Sequence, residues 1–271
     1  MDTNNIEKDM ENNTVEFKQV GPVAWLTLNR PAAMNAINLA MIDKYEALLP
    51  KIAVDDSVKV LVITGNGRAF CAGADLKEIL ASSNGAAGEA DFIDRLTVNV
   101  LDVLRNFPKP VIAAINGTTM AGGLETAMCA DIVIAADTAR IGDAHANFGV
   151  YPGAGGAAVL PRLIPINIAK YLLFTGETLS ATEMMGYGFV NKVVSLDSLQ
   201  EEVQKLAELI AAKSPIVLQR MKVVANATAD KSRDDALQQE QVLFRRHMRS
   251  YDMQEGLKAF SEKRKPSFRG Y

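Results

Sequence analysis

Two residues in this sequence sit where a proton could be moved. The chain has only two histidines. One of them, His145, lies in the stretch ARIGDAHANFGVYPGAGG, between Asp143 and Asn147 and just ahead of a glycine-rich turn. Imidazole has an unperturbed pKa of about 6.5, so it can give or take a proton near neutrality. Glu125 is the second candidate. It follows the glycine pair at 122 and 123 in AGGLETAMCA, in the first turn of a helical pattern. A carboxylate there could act on carbons next to a carbonyl polarised by the Gly122 amide. Its plainer role is to complement the helix dipole, worth about 0.3–1 kcal/mol.

Three glycine-bearing turns could frame such chemistry: GRAFCAGADLKE (67–78), NGTTMAGGLETA (116–127) and YPGAGG (151–156). The first two each join a buried apolar run to a helix start. Backbone N–H groups at a helix start have no partner within the helix, and the positive end of its dipole lies behind them. Two such turns side by side would supply a pair of donors for a developing oxyanion. Glycines also simply permit tight turns. Other chemistries find no support. GAGGAA lacks the GxGxxG spacing, and there is no P-loop lysine, no serine in a nucleophile elbow and no HExxH. Cys71 and Cys129 form neither a disulfide framework nor a metal site and read as buried thiols in a reducing compartment.

The elements that must position these groups alternate between strand and helix. TVEFKQVGPVAWLTLNRP reads as two short strands around Gly21-Pro22. VKVLVITG, VIAAING and DIVIAA are continuous apolar runs of the kind buried on both faces. Helical spacing intervenes in LAMIDKYEALLPKIAVD, FIDRLTVNVLDVLRNF and GLETAMCA, which implies an α/β arrangement. After about residue 165 the pattern is helical. Leu196, Leu199, Val203, Leu206 and Ile210 form one apolar face, and two further helical patterns follow Pro215.

At 271 residues and a formal charge of −3, the chain suits a large globular domain and is a poor nucleic-acid partner, because neutralising phosphates needs a basic surface. The polar first 13 residues read as a disordered tail with no targeting character. No apolar run approaches a membrane span, so the expectation is a cytoplasmic protein without membrane or nucleic-acid partners.

Taken together and in order, AFCAGADLKE, INGTTMAGGLETAMCADIVIAA, FGVYPGAGG, LPRLI, LLFTGETLSATEMMGYGFVNKVV and AFSEKRKPSF resemble the enoyl-CoA hydratase/isomerase (crotonase) superfamily, from about residue 14 to the C-terminus. The resemblance implies a crotonase-like spiral core of ββα units (14–200) and a C-terminal helical trimerisation region (201–271). It also implies an acyl-CoA thioester substrate, no permanently bound cofactor or metal, and a homotrimer or dimer of trimers. The amides of Ala74 and Gly122 match the oxyanion hole, and Glu125 matches the first hydratase glutamate. The second glutamate is expected four residues before Gly149, where this chain has His145. The reaction then expected is enoyl-CoA hydration with His145 as the second acid/base. Isomerisation, retro-Claisen C–C hydrolysis and a non-catalytic acyl-CoA-binding protein are the alternatives. The carboxylate that the C–C hydrolases carry after the histidine would fall at Ala154. Met34, Asn35 and Ala36 resemble the loop over the pantetheine and adenine. Ala72 and Leu76 flank the first oxyanion turn, and Lys263, with Arg264 and Lys265, is the candidate for the CoA phosphates. Met120 and Met184 are expected as core fillers.

Overall fold

The hairpin expected around Gly21 forms. In the computed structural model, which describes residues 13–83 and 92–271, β1 (Val15–Val20) pairs antiparallel with β2 (Val23–Leu28), with Val20 opposite Val23. Gly21 takes a φ of +58° at the turn, which glycine adopts without steric cost. The expected tail lies outside the described residues except for Asn13, whose side chain donates to Glu16 Oε1 at 3.1 Å.

Strands then come in pairs divided between two sheets. β3 (Val60–Gly65) and β4 (Ala69–Cys71) are followed by the helix Leu76–Ser83. β5 (Val111–Ile115) and β6 (Thr118–Met120) are followed by the helix Gly122–Ala127. The third pair is β7 (Ile132–Ala136) and β8 (Arg140–Gly142), followed by helices Leu160–Leu163 and Ile166–Thr175. This is the spiral of ββα units. The region after residue 165 is not wholly helical, contrary to expectation. β9 (Thr178–Ser180) runs antiparallel to β8, and β10 (Lys192–Val194) runs parallel to β7. Three-residue strands are too short to show alternation, and their pairing is decided by contacts remote in sequence. The large sheet has the order β1-β2-β3-β5-β7-β10 and the small one β4-β6-β8-β9.

The apolar runs are buried on both faces, with alternate residues serving two cores. Leu61, Ile63, Ala113, Ile115, Val133 and Ala135 enter the main core with Phe70, Phe107 and Leu124. Val60, Val62, Ile112, Ala114, Ile134 and Ala136 enter a second core on the opposite face, capped by helix Leu199–Ala211 through Leu199, Val203 and Ala207. Leu206 and Ile210 pack at its edge, whereas Leu196 lies ahead of the helix and is 47% exposed. Trp25 Nε1 donates to Gln204 Oε1 across this contact at 2.8 Å.

Three more helices complete the chain: Pro215–Ala227, Arg233–His247 and Tyr251–Ser261. Ser214, Ser232 and Ser250 cap them, each accepting a backbone N–H within the first turn. The C-terminal residues fold back onto the last helix. Buried Asp252 accepts from the amides of Arg269 and Gly270 and from the Ser214 hydroxyl. Among the described residues, no helix is long and apolar enough to cross a membrane.

Candidate active site

The two strand-end turns meet. Residues 34–37 run beside residues 72–75: the Ala72 N–H donates to Met34 O, Ile37 N–H to Gly73 O, and Asp75 N–H to Ile37 O at 2.7 Å. Ile37 and Ala74 are thus partners in a parallel bridge. Bonds in such a bridge come from the residues flanking Ala74, so the Ala74 N–H points away from residue 37. The Ala74 nitrogen lies close to Gly122. A Cβ built on Gly122 would lie 3.3 Å from the Ala74 nitrogen, and one on Gly73 would lie 3.5 Å from the Gly122 nitrogen. Both turns are small-residue turns because the backbones approach this closely.

Gly122 opens the helix Gly122–Ala127, and Ala121 before it holds φ +48°, ψ −121°. That conformation favours glycine, and a residue held there by its surroundings is a mark of a functional turn. Gly123 has no room for a side chain, since a Cβ would sit 2.1 Å from Cys71 O. The short helix is therefore pressed against β4, which fixes where Glu125 emerges.

Glu125 is 3% exposed. Its Oε1 accepts from the amides of Ala154 at 3.0 Å and Gly156 at 2.9 Å. The third glycine turn thus forms the clamp for this carboxylate. Burial raises the Glu125 pKa, and the Asp143 charge adds to that. The Gly156 amide, the nearby imidazole of His145 and the Ala154 amide oppose the rise without cancelling it.

His145 begins a short 3₁₀ turn, His145–Phe148, after Ala144 in the left-handed region. Its Nδ1 lies 2.9 Å from Oδ1 of buried Asp143, and its backbone N–H donates to the same oxygen at 3.2 Å. Burial pulls the His145 pKa down. The Asp143 hydrogen bond and the charges of Asp143 and Glu125 outweigh it, so the net shift is upward.

Ala72, Ala74, Leu76, Met120, Gly122, Glu125 and His145 line a single cavity of about 290 Å³. Larger grooves exist elsewhere, but among the described residues only this one unites both turns with the carboxylate and the imidazole. Met184 is wholly buried in the core as expected. Met120 instead faces the cavity, because β6 ends at its rim. Asn35 is fully buried, accepting from Arg30 N–H and donating to the carbonyls of Asn66 and Ala69. It shapes the loop rather than facing the cavity. Met34 and Ala36, both half-buried, and Lys263 also lie off the cavity lining. Arg264, just past the last helix, is committed to it through a two-pronged pair with Glu255 and a contact to the C-cap residue Glu262. Burial pushes the thiols of Cys71 and Cys129 up to about 12, so neither is a nucleophile at neutral pH.

Three contributions were not read from the sequence: the amides of Ala154 and Gly156, and the Asn116 side chain, which holds the β3–β4 turn through Gly65, Gly67 and Ala69. The signal for the first two was the glycine turn itself, whose partner lies far away in sequence.

Known proteins resemble this chain over nearly its whole length. The family model for enoyl-CoA hydratase/isomerase matches residues 18–271. The chain is 38% identical over 247 residues to the crotonyl-CoA hydratase of Syntrophomonas wolfei, covering 91% of this chain and 94% of that one. It is 38% identical over 248 residues to the 2,3-dehydroadipyl-CoA hydratase of Escherichia coli, covering 92% and 95%. The crystal structure of an enoyl-CoA hydratase from Bacillus anthracis superposes with a TM-score of 0.89 at 33% identity, covering 96% of this chain and all of that one.

Proposed function

This chain belongs to the enoyl-CoA hydratase/isomerase family, and from that premise we propose that it adds water across the α,β double bond of an enoyl-CoA thioester. The observation that carries the reading is the shared cavity in which two converging amide turns face a clamped carboxylate and an imidazole.

The thioester oxygen is held by the N–H groups of Ala74 and Gly122, which stabilise the negative charge as the enolate forms. Glu125, ionised and held through Oε1, takes a proton from water while the water oxygen bonds to Cβ. His145, protonated, delivers a proton to Cα, and the proton on Glu125 then returns to the imidazole or to solvent. A glutamate–imidazolium pair supplies one base and one acid near neutral pH without needing a carboxyl group to stay protonated. Each charge favours the other.

The acyl end of the cavity is bounded by Ile79, Ile93, Leu96, Phe148, Val150 and Tyr151, and among the described lining residues no Lys or Arg appears. The favoured substrate therefore carries an uncharged acyl group, since a terminal carboxylate would be desolvated without a cation. The CoA part arrives with the substrate. Assembly as a trimer or a dimer of trimers is supported by exposed apolar side chains on the C-terminal helices, including Met221, Phe244 and Met248. The cytoplasm is the compartment that fits two free thiols.

Mixing crotonyl-CoA with catalytic amounts of protein tests the reaction. Loss of the enoyl-thioester ultraviolet band, faster than with 2,3-dehydroadipyl-CoA, is expected. Stoichiometric binding without loss would reduce the protein to an acyl-CoA binder. Light scattering at micromolar concentration should give a trimeric or hexameric mass, and a monomeric mass would overturn the assembly.

A further inference from the structure

The two ring nitrogens of His145 are not equivalent, and Asp143 makes them so. Nδ1 and the backbone N–H of His145 both meet Asp143 Oδ1. An ionised carboxylate only accepts, so Nδ1 keeps its hydrogen in either charge state and Nε2 is the atom that titrates. Asp143 is 1% exposed, and its Oδ2 has no hydrogen-bond partner among the described residues. Gly156 closes that side, where a Cβ would lie 2.6 Å from Oδ2 and 2.8 Å from Pro152 Cβ. A buried carboxylate with one unmet oxygen is costly unless a cation is beside it. The His145 ring makes the one ion pair of Asp143 among the described residues. Two charged groups act on that ring, Asp143 from the loop after β8 and Glu125 from the helix Gly122–Ala127, and both are acids.

From this geometry we propose that Asp143 is a positioning residue: it fixes His145 as the Nδ1–H tautomer, presents Nε2 to the cavity and stabilises the imidazolium when it forms, so that His145 serves as the acid and Glu125 as the base. This rests on the assignment of His145 as the second acid/base. The upward shift of its pKa despite burial agrees with it.

Asp143→Asn separates charge from geometry. The His145 backbone N–H demands an acceptor at Oδ1, so an asparagine oxygen there can still take both N–H bonds while the charge is lost. With only two histidines, imidazole nitrogen NMR on the full chain resolves each ring, and His247 serves as the internal reference. In the wild type, neutral His145 should be the Nδ1–H tautomer. In Asp143→Asn the tautomer should persist while the His145 titration midpoint falls by about one pH unit or more, the usual effect of removing an adjacent opposite charge. The alkaline limb of the kcat profile on crotonyl-CoA should move with it. KM should change less than about threefold, because the oxyanion donors are untouched. Asp143→Ala should lose the tautomer preference as well. A wild-type Nε2–H tautomer, which needs no variant to measure, overturns the proposal, as does an unmoved midpoint in folded Asp143→Asn. If the midpoint and tautomer behave as expected but wild type hydrates no enoyl-CoA, the positioning role stands and the hydratase reading fails.

Discussion

In the cavity His145 faces two carboxylates, whereas at the end of the helix Arg233–His247 the other histidine faces a guanidinium. His247 is half-buried, with Nδ1 3.1 Å from Ser250 Oγ. Burial lowers its pKa, the Arg220 charge lowers it further, and Asp252 only partly opposes them. Burial acts in the same direction at both rings. Their neighbours decide the outcome, so the pKa of one imidazole moves up and that of the other moves down.

The largest effect should come from Glu125, the proposed base opposite His145. Glu125→Gln keeps an oxygen for the amides of Ala154 and Gly156 but cannot accept a proton from water. Loss of an acid/base group typically costs about 10²–10⁴ in rate, and kcat should fall that far with substrate affinity near normal in a ligand titration. His145→Gln should fall within the same range and erase the alkaline limb of the pH profile. Full turnover in this variant would make the histidine a packed loop residue and dissolve the contrast with His247.

Gly156→Ala should come next. Its added Cβ meets Asp143 Oδ2 and Pro152, and lies 3.5 Å from Glu125 Oε1. Overpacking of this kind costs about 1–3 kcal/mol, readable as a lower denaturation midpoint, and the rate should drop through displaced carboxylates. An unchanged rate would mean the clamp on Glu125 is not required.

The pH profile sharpens the comparison without a mutation. The raised Glu125 pKa moves the acid limb of kcat/KM above the ordinary carboxylate range, and the raised His145 pKa moves the alkaline limb above the ordinary imidazole value. The limbs belong to the coupled pair. Stability carries the same signature with opposite signs. The contribution of His145 is fully present below its unfolded pKa of about 6.5 and is lost as pH rises through the higher folded value. His247, with its folded pKa lowered, disfavours the fold as pH falls below about 6.5, because the unfolded chain then binds the proton more readily. Denaturation midpoints of His145→Gln and His247→Gln across this range should therefore depart from wild type with opposite pH slopes. The smallest effect is on turnover in His247→Gln, which should stay within about twofold of wild type, as expected for a substitution remote from the reacting groups.

Much of the site was legible because its parts are local. Asp143 and His145 are two residues apart, Gly122 and Glu125 share one helical turn, and each pairing follows from short-range geometry. The apolar runs of β3, β5 and β7 declared themselves as doubly buried strands for the same reason. β4, β6, β8, β9 and β10 did not, since three residues show no period and take strand form only when a partner supplies the hydrogen bonds.

By itself, then, the sequence determined the α/β alternation and the glycine turns at strand ends, singled out Glu125 and His145 as the candidate carboxylate and imidazole, and raised the expectation, through the family resemblance, that His145 stands where a second glutamate would fall. Tertiary structure alone decided that the turns of Ala74 and Gly122 lie against each other, and that residues 34–37 direct the Ala74 amide. It also decided that Ala154 and Gly156 clamp Glu125 and that Asn35 faces inward. The reason is the range of the interactions. Backbone amides look alike in any sequence, and which of them remain free for a substrate or a carboxylate is settled only when distant segments pair and satisfy the rest.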